Sequence, residues 1–157
     1  GLVAAVADVV SAHDGNWEAS QLAELGGTFA GVVQVEVPDA QRDALLSALH
    51  ELDGLLAIAT HPAAEAPAST PAPEQSLEIS VLGNDRPGIV REISSTLSAH
   101  GVSIDRLSTQ VRDAAMSGGA LFDAGVSARV SQGADLDALR DALEQLAGEI
   151  QVDITIA

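Results

Sequence analysis

The chain has 157 residues and is 46% hydrophobic but only 2% aromatic, which allows one ordinary domain or two small ones with a core of Ala, Val, Leu and Ile. Its formal net charge is −16 and every basic side chain is Arg, a balance that repels phosphate backbones and argues against direct nucleic-acid binding. No apolar run reaches the roughly 18 residues of a membrane span, no signal peptide is legible in the first residues, and the absence of Cys removes disulfides and thiolate metal sites. The expectation is a cytoplasmic protein with no membrane partner.

The first predicted element is a helix near Leu2–His13. A strand begins at Asn16-Trp17, and Phe29, Gly31, Val33, Val35 and Val37 alternate as the next. A helix follows over about Asp39–Asp53, and Leu56, Ile58 and Thr60 suggest a short closing strand. The stretch His61–Gln75 then carries Pro62, Pro67, Pro71 and Pro73 among Ala, Ser and Thr, with no large apolar residue. It reads as an extended connector.

Beyond it, Leu77, Ile79 and Val81 alternate as a strand, and Ile89, Ile93 and Leu97 mark one face of a helix that ends at His100-Gly101, where Gly suits a left-handed cap. Val102 and Ile104 open a strand whose apolar phase shifts to Leu107 and Val111, which predicts a bulge between them. Phe122, Ala124, Val126, Ala128 and Val130 alternate as another strand. Leu136, Leu139, Leu143 and Leu146 form a helix, and Ile150, Val152, Ile154 and Ile156 a last strand.

The two halves repeat one another. Ser11-Ala12-His13 falls on Ser98-Ala99-His100 at a shift of 87 (100 − 13), and "LLSALHELDG" from Leu45 falls on "LRDALEQLAG" from Leu139 at 94 (139 − 45). The fold class is therefore α+β: two ferredoxin-like βαββαβ units in tandem, 1–60 and 76–157, joined by the linker 61–75. The first unit lacks its opening strand. In this topology that strand lies inside the sheet, and its loss leaves interior backbone groups unpaired at about 1–3 kcal/mol each. The expectation is that the natural chain extends upstream of Gly1 by about one strand and a loop, on the order of ten residues, with domain swapping as the alternative.

The junction "VLGNDRPGIV" (Val81–Val90) has two readings. As a plain helix start, Pro87 sits at the first helical position, Asp85 accepts from free first-turn N–H groups, and Gly83 and Gly88 let the backbone turn and approach closely. As a site, the same N–H groups hold a carboxylate while Asn84 and Asp85 meet an ammonium, so a zwitterionic amino acid satisfies both ends. His13 and His100 sit at equivalent helix ends, where a cation is favoured. His50 and His61 read as surface and linker residues, and Asp135, Asp137 and Asp141 surround a helix start. No His pairs with them at metal-ligand spacing and no nucleophile elbow accompanies the Ser, His and Asp present, so no metal, cofactor or catalytic residue is expected.

"NDRPGIVREISSTLSAHGVSIDRLSTQV" resembles the first half of an ACT domain, the small amino-acid-sensing module. The tandem arrangement, with "GNWEASQLAELGGTFAGVVQVEVP" in the first copy, is similar to the glycine cleavage system transcriptional repressor family. The resemblance implies ligands at the loop between first strand and helix, at interfaces between modules. It maps the ligand-binding set onto Asn84, Asp85, Arg86, Pro87, Gly88 and Ser103 in the second copy, and onto Asn16 and Gly1 in the first. Asp85 stands where ligand-binding ACT domains often carry Asn, and Asn16 matches the Asn that often opens their second strand better than Ser103 does. The implied function is a non-catalytic regulator in amino-acid metabolism or its transcriptional control. Its expected ligand is a small amino acid such as glycine. It would be a homodimer, with a regulatory protein partner in place of DNA. The alternative is an interaction module that binds no ligand.

Overall fold

The protein is described by a computed structural model covering residues 1–63, 75–116 and 118–157. Its chain divides into two compact units at Ala66/Pro67. The linker reading over 64–74 lies outside the described residues.

In the first unit, helix α1 (Leu2–Ala12) leads into strand β1 (Asn16–Leu25), β2 (Thr28–Glu36) and helix α2 (Asp39–His50). The two strands form an antiparallel hairpin turned by Gly26 and Gly27, both at positive φ, which Gly adopts without steric cost. Among its described residues the only fully buried apolar side chains are Val10 of α1 and Leu45 of α2. The expected closing strand at Leu56–Thr60 does not form: residues 56–60 have neither helical nor strand structure. The reason is topological. In a ferredoxin-like sheet the last strand pairs only with the first, and no such strand is present among the described residues of this unit. α2 also ends at His50, short of Asp53, with turns over 51–55.

The second unit is complete. Its elements are β3 (Gln75–Asn84), α3 (Ile89–Ala99), β4 (Val102–Asp113), β5 (Ala120–Val130), α4 (Leu136–Ile150) and β6 (Val152–Ile156). The sheet order is β4-β5-β3-β6, antiparallel at every pair. Leu77, Ile79 and Val81 of β3 and the alternate residues Phe122–Val130 of β5 point to one face. Ile89, Ile93 and Leu97 of α3, and Leu139, Leu143 and Leu146 of α4, close the core over that face. The opposite face carries Glu78, Ser80, Asp123, Ser127 and Arg129, the wet side of a half-buried antiparallel sheet. Ser127 Oγ donates to Glu78 there, and Nε of Arg129 donates to both carboxylate oxygens of Asp105, at 2.7 and 2.9 Å.

The predicted bulge lies between Ile104 and Arg106, and the first unit has an equivalent one between Trp17 and Ala19. Gly101 has φ +71, as its capping role requires. Ile150 belongs to α4, not to the last strand. Gln151 then turns in the left-handed region and β6 starts at Val152. The histidines at the ends of α1, α2 and α3 share one arrangement: Nδ1 of His13, His50 and His100 donates to the carbonyl four residues back, at 2.8, 2.6 and 2.8 Å. They satisfy last-turn carbonyls.

Gly83 marks the tightest backbone contact of the sheet. A Cβ there would stand 2.8 Å from Cα of Val152, whereas a Cβ on Gly125 would meet nothing within 4 Å. We expect Gly83→Ala to push β6 off β3 and destabilise the second unit by about 1–3 kcal/mol. Gly125→Ala should stay within about 0.5 kcal/mol of the parent protein in the same urea titration.

Candidate functional site

β3 runs along the middle of the sheet and stops at Asn84, opposite Leu121 at the start of β5. The chain then crosses the rim as an exposed loop, Asp85–Gly88, and enters α3. Two features differ from a simple capped helix start. Pro87 precedes the helix by two residues, because Gly88, at φ +93, is the N-cap and Ile89 the first helical residue. Asp85 does not cap: its side chain bonds no N–H of the first turn, while its own backbone N–H donates to Ala120 O at 2.8 Å. That bond ties the loop to β5 and leaves the carboxylate facing solvent.

Since no side chain caps α3, its first N–H groups point outward at the positive end of the helix. Arg86 does not stand free beside them. Its Nη2 pairs with Glu92 at 2.9 Å and its Nη1 donates to Pro87 O at 3.1 Å. Both ends of the pair are about 40% exposed, so the pair orders the loop more than it stabilises the fold. Glu92 and the carbonyl of Ala120 are partners that sequence reading missed. Neither follows from periodicity, since one lies six residues away across a turn and the other on a different strand.

The expected site residues fall into separate groups. Asn84, Asp85, Arg86, Pro87 and Gly88 are contiguous on one rim. Ser103 opens β4 opposite Arg129, while Asn84 stands opposite Leu121. Those two levels are eight residues apart along β5, roughly 26 Å at 3.3 Å per residue. Within one unit, then, Ser103 lies at the far end of the sheet from the loop. In the first unit Gly1 is the N-cap of α1, and Asn16, opposite Glu36, follows the other end of that helix. The 11 residues of α1 separate them by about 16 Å.

Two surface features adjoin the loop. An open depression of about 590 Å³ borders Asn84, with Leu121, Gln151 and Asp153 on its other sides. An apolar seam lined by Val90, Ile104, Leu107 and Phe122 runs between α3 and β4. Leu107 on it and Val111, further along β4, remain 42% and 55% exposed. β4 is an edge strand, and its segment Leu107–Val111 carries no charge and no Pro to protect that edge. Among the described residues no group of three or more His, Cys, Asp or Glu could hold a metal ion, and no helix is long and apolar enough to cross a membrane.

Models of the ACT domain match residues 1–61 and residues 77–148. Among solved structures, an unknown protein from Galdieria sulphuraria is 28% identical at a TM-score of 0.80, covering 99% of this chain and 89% of its own. A candidate glycine cleavage system transcriptional repressor is 18% identical at a TM-score of 0.65, covering 100% of this chain and 88% of its own, a likeness of fold. No curated protein matches the sequence significantly.

The different roles of two aspartates can be measured. Asp135 is the N-cap of α4 and accepts from the Ala138 N–H at 3.0 Å. Asp135→Ala should cost about 1 kcal/mol in chemical denaturation. Asp85→Ala should stay within about 0.5 kcal/mol, since its carboxylate holds no helix end.

Proposed function

This chain is a tandem ACT-domain protein, and from that premise we propose that it is a non-catalytic regulator that binds a small amino acid where ACT modules meet. The observation that carries the reading is the α3 start, where N–H groups uncapped by any side chain lie beside the free carboxylate of Asp85 and the amide of Asn84. A ligand carboxylate meets the helix end, and its ammonium meets Asp85. Arg86, anchored by Glu92, fixes the loop between them. Glycine is the first candidate, from the resemblance to the glycine cleavage repressor family. Asp85, which only accepts when ionised, favours a ligand with a free ammonium.

The separation of Ser103 from the loop calls for a second module. If β4 of one copy lies antiparallel to β4 of another, the Ser103 end of each reaches the rim that carries the other's loop. The uncharged edge Leu107–Val111 and the apolar seam beside it suit such a contact. A homodimer on this plan carries two equivalent seats, and ligand acts by favouring the paired arrangement. With a net charge of −16, any effect on transcription runs through a protein partner in the cytoplasm and not through DNA. The seam also supports a second reading, a module that associates through β4 with no ligand.

Calorimetric titration and thermal shift with glycine, serine and a panel of other amino acids test the sensor reading. Saturable heat with one of them is expected, weakened by Asp85→Ala and by Ser103→Ala. Silence across the panel removes the sensor. Sedimentation at several concentrations with and without the amino acid separates the two readings, since association indifferent to every ligand leaves only the interaction module.

A further inference from the structure

Among the described residues the helices end in two ways. α1, α2 and α3 each end at a histidine whose Nδ1 donates to the carbonyl four residues back. α4 ends at Gln151, in the left-handed region, with its backbone N–H on the Ala147 carbonyl and no basic residue in its last turn. The negative end of that helix therefore faces outward with no cation against it. The open depression of about 590 Å³ lies at this end. It arises from a mismatch in strand length. β3 pairs with β5 as far as Asn84 but with β6 only as far as Gly83, so its last residue has no neighbour on the β6 side. Leu82 and Leu121 give the hollow an apolar wall, and Gly148 leaves it open, since a Cβ there would meet nothing within 4 Å. Asn84, Gln151 and Asp153 supply the polar side chains, and these bond no other side chain among the described residues. Asp153 is the one ionisable group on the lining.

We propose that this depression binds a small primary aliphatic amine. The ammonium donates to the Asp153 carboxylate and to the amide oxygens of Asn84 and Gln151, beside the carbonyl end of α4. The hydrocarbon stem lies against Leu82 and Leu121. The lining selects this class against the alternatives. An anion meets a carboxylate and a negative helix end with no positive group to hold it. A metal ion finds one carboxylate, and among the described residues no group of three or more His, Cys, Asp or Glu gathers anywhere. The amine takes at α4 the place that an imidazole takes at the other three helix ends. The site is separate from the seat proposed at the start of α3 and touches it only through Asn84.

The test is an amide chemical-shift titration of the whole chain with butylamine. Saturable shifts are expected at Leu82–Asn84, Leu121 and Ala147–Asp153. Methylamine, which lacks the stem, should bind about tenfold more weakly. Butanol, which lacks the charge, and tetramethylammonium, which lacks the N–H groups, should not saturate the site. Asp153→Asn should weaken butylamine at least about tenfold, while Asp123→Asn, on the same sheet but outside the depression, leaves binding unchanged. Gly148→Leu should block the hollow with a side chain that the helix accepts. Unchanged hydrogen exchange across β3–β5 shows each variant still folded. Unchanged amino-acid binding by Asp153→Asn keeps this site distinct from the seat at α3, so either can fail alone. Absence of saturable shifts overturns the proposal. So does an equal response to butanol or tetramethylammonium, or a response centred on Asp85–Gly88.

Discussion

The pairing of β3 on both of its edges is the constraint on which the second unit rests. It joins β5 to β6, places Leu77, Ile79 and Val81 under the two helices, and approaches Val152 so closely that only Gly fits at position 83. The contrast is built into the same chain. Among the described residues, the first unit has both helices and the outer hairpin of this design but no strand in that position, and it buries only Val10 and Leu45 fully. These are the counterparts of Leu97 and Leu139, both buried helix residues of the complete copy. A helix pair on a two-stranded ribbon keeps its centre and loses the rest, as expected where isolated hairpins are marginal.

The same strand positions the loop. Because β3 ends at the rim and not inside the sheet, Asp85–Gly88 emerges into solvent and α3 begins with its amide end open. Ala120 holds the loop by its backbone and Glu92 holds it by Arg86, so the two groups left without an internal role are the Asp85 carboxylate and the helix amides. They have opposite polarity and are close in sequence. The rim by itself encloses nothing, and for that reason the proposed seat is one shared between modules.

Much of the fold was legible because duplication and alternation are strong signals. The repeat at shifts of 87 and 94 gave the two units, and the phase slip between Ile104 and Leu107 gave the bulge in β4. Errors arose where a local pattern depends on a distant partner. Leu56, Ile58 and Thr60 alternate well, but alternation does not make a strand with nothing beside it. Ile150 fits the period of β6 and of α4 equally, and the left-handed turn at Gln151 decides between them. Pro87 suits a first helical position, yet Gly88 takes up the sharp turn instead and shifts the start by two residues. Of the expected ligand-binding residues, those adjacent in sequence share one rim, while Ser103 lies at the other end of the sheet within its unit, because strand direction is invisible to a motif.

The two bulges have their own consequence. The surplus residue is Glu18 in β1 and Asp105 in β4, an acid in both copies, and each reaches sideways to the neighbouring strand, Glu18 to Gln34 and Asp105 to Arg129. Deleting a residue of β4 ahead of Leu107 other than at the bulge would turn every later side chain over, putting Ser108 in the place of Leu107 and Arg112 in that of Val111. Deleting Asp105 would leave Ile104 in, Arg106 out and Leu107 in, with the frame of the strand undisturbed. Each hairpin thus contains one position where a codon can be lost without inverting the sheet, and the side chain there is free to answer to surface chemistry alone.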